Sequence, residues 1–120
     1  MQEDDSARVA VERLARAGCV AADEEVAEML ALGPHPETLD SWLSRRERGE
    51  PLAWIVGHVD FLGRRLGVEH GVYVPRQQSC ELASRASELL PAHGRAADLC
   101  TGSGAVGAAL LAADPTAQLV

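Results

Sequence analysis

Ten residues, Asp98-Leu-Cys-Thr-Gly-Ser-Gly-Ala-Val-Gly107, restrict the fold more than any other stretch of the chain. The segment Ala96-Ala97-Asp98-Leu99-Cys100 reads as a short buried strand. Gly102 and Gly104 then let the backbone turn tightly, and Ala105 onward reads as a helix that ends at Asp114-Pro115. Ala117 to Val120 reads as the beginning of another strand. Strand, glycine turn, helix, strand is the opening of a doubly wound α/β domain, and one strand plus the start of a second do not close such a sheet.

Two other textures precede it. Residues 1–50 carry helical periodicity: Val9, Val11, Leu14, Ala15 and Cys19, then Val26, Met29, Leu30 and Leu32. Asp23 is placed to cap the second helix, and Gly33-Pro34 stops it. A third helix is expected from Pro36 to about Arg48 with Leu39, Trp42 and Leu43 inward, giving a small helical bundle. Residues 51–76 have little helical period and many β-formers. Gly63-Arg64 sits between two β-prone stretches, which predicts a hairpin from about His58 to Glu69 and an extended exit to Pro75. Gln78 to Leu90 then reads as an amphipathic helix with Leu82, Ala86 and Leu89 on its core face, ended by Pro91.

Composition removes several function classes. In 120 residues there are 18 Asp and Glu against 11 basic residues, a net charge of -7. Direct nucleic-acid binding and adhesion to anionic membranes need a basic face, so both are disfavoured. Every basic residue is arginine, which rules out a catalytic lysine in this chain. Cys19, Cys80 and Cys100 form no CxxC pair, and His35, His58, His70 and His93 are scattered, so neither a disulfide scaffold nor a metal site is expected. The histidines read as surface or loop residues. The acidic start and the lack of a long apolar run predict a cytoplasmic protein.

The glycines Gly102, Gly104 and Gly107 match G-x-G-x-x-G, a weak signal alone and a stronger one between a strand and a helix. The N–H groups at the start of that helix suit an anionic group. Three readings fit: a dinucleotide pyrophosphate, the methionyl end of S-adenosylmethionine, or a purely structural turn. Asp98 favours the second, because a carboxylate there receives an ammonium group and repels a pyrophosphate.

The combination of Arg46-Glu47-Arg48-Gly49-Glu50-Pro51-Leu52-Ala53, Gly71-Val72-Tyr73-Val74-Pro75-Arg76 and Asp98-Leu99-Cys100-Thr101-Gly102-Ser103-Gly104 resembles the protein-glutamine N5-methyltransferases that modify peptide-chain release factors. The resemblance covers about residues 45–113 well and the helical start loosely. It implies a helical substrate-recognition domain (1–50), a β-hairpin linker (51–76) and the first part of a Rossmann-like S-adenosylmethionine domain (77–120). It implies cofactor contacts from Asp98, Cys100, Thr101, Gly102, Ser103 and Gly104, and an active-site entrance at Pro75 and Arg76. The partner it implies is a protein such as a release factor.

The departures are local. The family pattern P-R-P-E-T-E is here Pro75-Arg76-Gln77-Gln78-Ser79-Cys80, and Cys100 stands where the loop's first glycine is usual, as in a divergent branch. Cys100 is expected to be small and buried. The family's catalytic Asn-Pro-Pro-Tyr motif and ribose-binding acid would lie beyond Val120. The chain therefore reads as the first part of such an enzyme, truncated and inactive by itself. The alternatives are a non-catalytic interaction module and a decayed remnant. Arg45, Arg46 and Arg48 read as a solvated helix end or, less readily, a docking patch; Trp42 and Trp54 read as core and hairpin anchors.

Overall fold

The computed structural model describes residues 1–120, the side chain of Glu3 excepted. The chain divides into two compact units, Met1–Val56 and Gly57–Val120.

The first unit is helical: α1 (Gln2–Arg16), α2 (Ala22–Ala31), α3 (Pro36–Glu47) and α4 (Leu52–Val56). Proline at the first position of α3 is preset for a helix start, where its missing N–H costs nothing. The core is built from Ala10, Leu14, Val26, Met29, Leu39 and Leu43, with Leu14 and Met29 fully buried. Trp42 is partly buried and packs against this cluster.

Four details depart from the sequence reading. Val9 is exposed, and the buried stripe of α1 runs through Ala10 and Leu14 instead. Leu30 and Leu32 are exposed at the end of α2. Ala21, not Asp23, occupies the cap of α2 and no side chain caps it; Asp23 lies in the first turn, where its charge suits the helix dipole. The short helix α4 was not expected, because five residues are too few to display a helical period; it carries Trp54, which is therefore not a hairpin residue.

Ion pairs tie the helices together. Arg13 of α1 donates to Glu47 (2.9 Å) and to Asp40 (2.6 Å), both on α3. Hydrogen bonding to these two carboxylates raises the Arg13 pKa, and the Arg13 guanidinium holds the Glu47 carboxyl below its ordinary range. Arg46 reaches Glu25 of α2 at 2.7 Å, and Arg45 pairs with Glu50. Two of the three arginines in the basic run are thus engaged inside the chain, which weakens its reading as a free docking patch.

The second unit mixes helices with small sheets: β1 (His58–Phe61), β2 (Arg64–Gly67), α5 (Ser79–Leu89), β3 (Arg95–Ala96), α6 (Ala105–Ala113) and β4 (Gln118–Leu119). The antiparallel pair β1–β2 has Phe61 opposite Arg64, so the turn is Leu62-Gly63, one residue earlier than expected. Both turn residues have positive φ, 49° and 73°, as a two-residue turn matched to strand twist requires.

β3 and β4 pair in parallel, with α6 between them in sequence. Gln118 N–H donates to Gly94 O (2.8 Å), Val120 N–H to Ala96 O (3.0 Å) and Asp98 N–H to Val120 O (3.0 Å). The return from α6 is fixed by Asp114, whose carboxylate accepts from the Thr116 amide (2.9 Å) and hydroxyl (2.6 Å). These bonds lower the Asp114 pKa. The Thr116 hydroxyl oxygen in turn accepts from the His93 amide at 3.1 Å, linking this turn to the start of β3.

The core of this unit is small: Phe61, Ala83 and Ala105, bordered by Leu66, Cys80, Val106 and Ala109. Leu82 and Leu89 are exposed, so the inward face of α5 is the one carrying Ala83. Helices α5 and α6 pack through alanines, which permits close approach and leaves Leu82 and Leu89 of α5 outside, while Leu110 of α6 is buried. The strand read over 96–100 is shorter than expected and not buried; Leu99 is 83% exposed, since a two-stranded sheet covers little of either face. His58, read as a surface residue, is buried at the start of β1.

Candidate functional site

The glycine-rich turn owes its shape to three residues with positive φ: Cys100 (56°), Gly102 (56°) and Gly104 (80°). Gly104 is also the N-cap of α6, and its N–H donates to Thr101 O at 2.9 Å. A Cβ at Gly102 would meet nothing within 4 Å, and one at Gly104 only the Thr101 hydroxyl at 3.9 Å. Backbone conformation, not crowding, therefore demands glycine there, and the peptide surface of the turn is open to a ligand.

Asp98 organises the turn. Its Oδ2 accepts from the Thr101 hydroxyl (2.8 Å) and from the Gly107 amide (3.0 Å), a donor of the first turn of α6. A side-chain oxygen satisfying an N-terminal amide is a capping interaction, made here from the strand side rather than from the N-cap residue. Gly107 is the close-packing glycine: a Cβ there would lie 3.1 Å from Asp98 Oδ2 and 3.2 Å from a Leu119 methyl. Both bonds fall on one carboxylate oxygen, Oδ2.

Asp98, Thr101, Gly104 and Gly107 border an open concavity of about 370 Å³ that Leu111 and Leu119 also line. The structure thus brings Asp98, Thr101 and Gly104 to one place, with Ser103 half-buried beside them. Cys100 is exposed, contrary to the expectation of a small buried residue, because its left-handed backbone turns the side chain outward. Pro75 and Arg76 lie in the same unit on the segment before α5, where the Arg76 guanidinium sits 5.9 Å from the centre of the Tyr73 ring. They do not border the concavity.

The sequence reading missed the second role of Gly107, as amide donor to Asp98. The only hint was that the third glycine of the motif falls within the first turn of the helix. Among the described residues, no group of three or more His, Cys, Asp or Glu side chains is arranged to hold a metal ion. No helix among them is long and apolar enough to cross a membrane.

Comparison with known proteins finds relatives that are named as methyltransferases. The chain belongs to the family of the release factor glutamine methyltransferases. It is 45% identical over 67 residues to the release factor glutamine methyltransferase of Neisseria gonorrhoeae, covering 56% of this chain and 24% of that protein. It is 35% identical over 95 residues to the one of Haemophilus influenzae, covering 73% of this chain and 31% of that protein. It is also 33% identical over 123 aligned residues to the 4-amino-L-phenylalanine/4-methylamino-L-phenylalanine methyltransferase of Streptomyces pristinaespiralis, covering 97% of this chain and 42% of that protein. The chain spans less than half the length of each of these relatives. No protein-family model matches it.

Proposed function

We propose that the chain carries the methionyl-binding part of an S-adenosylmethionine site, within a methyltransferase acting on the side-chain amide nitrogen of a glutamine in a protein such as a release factor. The observation that carries this reading is the Asp98-centred turn, with its carboxylate tied to Thr101 and to the α6 amide of Gly107. The residues fit the group. An ammonium finds the carboxylate of Asp98, a carboxylate finds the open backbone of Gly102 to Gly104, and an apolar body finds the hollow against Leu111 and Leu119. When bound, the cofactor supplies a methyl group on a sulfonium sulfur for in-line displacement by nitrogen. The chain's own contribution is positioning: Thr101 and Gly107 hold the Asp98 carboxylate two residues beyond β3, so orientation is set before binding.

On this reading β3–α6–β4 is the first strand–helix–strand unit of a doubly wound sheet, the helices of residues 1–50 recognise the protein substrate, and residues 51–76 link the two. Pro75 and Arg76 line the entrance to the active site, and Cys100 and Ser103 flank the cofactor. The relatives' names support the reaction class.

A second reading concerns the nucleophile. The relative that aligns over 97% of the chain, the helical residues included, is named for an amino acid bearing an aromatic amine. An arylamine nitrogen, like an amide nitrogen, can accept a methyl group, so a small aromatic amine is the rival substrate.

Titration calorimetry of the chain with S-adenosylmethionine and with NADH tests the cofactor. Saturable binding of the first only is expected, weakened about tenfold or more in Asp98→Asn, which keeps the side chain's shape and loses its charge. Binding of NADH alone, or of neither, sinks the proposal. Transfer of labelled methyl groups by the protein to a release factor or to 4-amino-L-phenylalanine then separates the two substrates.

A further inference from the structure

We propose that Gln77 is a positioning residue that fastens the segment Pro75–Arg76 and the start of α5 to the outer edge of the hairpin. This deepens the functional reading, since it rests on Pro75–Arg76 being the entrance.

The hairpin register decides which backbone groups are spare. Val68 N–H donates to Gly57 O at 3.0 Å, which makes Gly57 and Val68 a hydrogen-bonded pair. Pairs alternate along an antiparallel ladder, so Val59–Leu66 and Phe61–Arg64 are bonded, whereas Asp60–Arg65 is not. The carbonyl of Asp60 therefore points away from β2. It is met there by the Gln77 carboxamide, whose Nε2 donates to Asp60 O at 3.2 Å. The other end of the same carboxamide accepts from the Cys80 thiol at 3.5 Å, so the amide is oriented from both sides.

The placement is economical. Asp60 adjoins Phe61, the largest fully buried side chain of the unit, and Cys80 packs on the same cluster. Gln77 thus spans two fixed points of the core. The backbone that it steadies is the turn before α5, where Ser79 N–H donates to Arg76 O and Cys80 N–H to Gln77 O, each at 3.0 Å. A proline at position 77 has no side-chain donor with which to make this bridge.

Amide hydrogen exchange on the whole 120-residue chain tests the bridge. Gln77→Met keeps the length and removes the donor; Gln77→Lys restores a donor on a stem long enough to reach Asp60 O. Exchange at Ser79 and Cys80 is expected to rise about fivefold in Gln77→Met, the worth of one net hydrogen bond, and to return toward wild type in Gln77→Lys. The unfolding midpoint should fall slightly in Gln77→Met, by that same one hydrogen bond, and recover in Gln77→Lys. Unchanged exchange in Gln77→Met overturns the proposal. So does equal loss in both variants with a lowered midpoint, which would make Gln77 a packing residue. Calorimetry with S-adenosylmethionine on the same samples keeps the two readings apart: absent binding defeats the cofactor proposal and leaves the bridge to stand or fall on exchange alone.

Discussion

At the scale of single residues, Cys100 is the informative position. Its φ of 56° lies in the left-handed region, where a Cβ meets the following carbonyl and glycine is at ease. Its side chain is exposed and makes no core contact, so nothing is lost by removing it. Cys100→Gly is therefore expected to stabilise the chain by about 0.5–1 kcal/mol, less than the full left-handed cost because glycine also loosens the unfolded chain. Urea unfolding of the two proteins measures it; equal or lower stability of the glycine variant would mean that the turn bears no strain here. The sequence could place the glycine turn but not this conformation, because only the path of the backbone tells which of several small residues must turn left-handed. The bond from Gly107 N–H to Asp98 was equally hidden, since it spans nine residues and follows no spacing rule.

Secondary-structure elements were legible in proportion to their length and their side-chain size. α1, α2 and α3 each show more than two turns of period, so their presence followed from the residues, as did the stop of α2 at Gly33-Pro34 and the extent of α3 from Pro36. α4 is a turn and a half and shows none. α5 was found, but its inward face was misjudged: Leu82 and Leu89 outrank Ala83 in hydrophobicity, and close packing against α6 selects the smaller residue. Between elements, the bridge from α1 to α3 through Arg13 makes a specific claim. Its guanidinium meets three partners, Asp40, Ser44 and Glu47, with the side chain only 29% exposed. Arg13→Met should lower stability by about 1 kcal/mol, the upper end for pairs this close to solvent. Arg16→Met is the control, because Arg16 is 82% exposed and its nearest carboxylate, Glu12, is 3.8 Å away. Thermal melts followed by circular dichroism at 222 nm compare them, and equal midpoints for both variants would remove the bridge from the account.

For the whole molecule the governing quantity is the carboxylate count, 18 Asp and Glu on a chain with net charge -7. Glu47 and Asp114 both hold their protons less readily when folded, the first beside Arg13 and the second through the bonds from Thr116. Where a carboxyl's folded pKa is depressed, the unfolded chain binds more protons in the interval between the two values, so stability rises with pH there. The stabilisation is complete above the ordinary carboxylate range and disappears as pH falls through the folded values. Stability should accordingly be flat near neutrality and decline below about pH 4.5, with a shallower decline in Glu47→Gln. Urea midpoints between pH 7 and pH 3 check this; an identical slope in the variant would show that other carboxyls carry the effect.

The division of aromatic residues has an optical consequence. Trp42 and Trp54, the chain's two tryptophans, both lie within Met1–Val56, and its single tyrosine, Tyr73, lies within Gly57–Val120. Emission excited at the red edge of the indole band thus originates wholly in the helical unit, and the glycine turn is dark at that wavelength. A direct optical report on a ligand in the hollow beside Asp98 therefore needs an indole placed within Gly57–Val120. Leu99→Trp, at an exposed position one residue from Asp98, would give that turn a colour of its own.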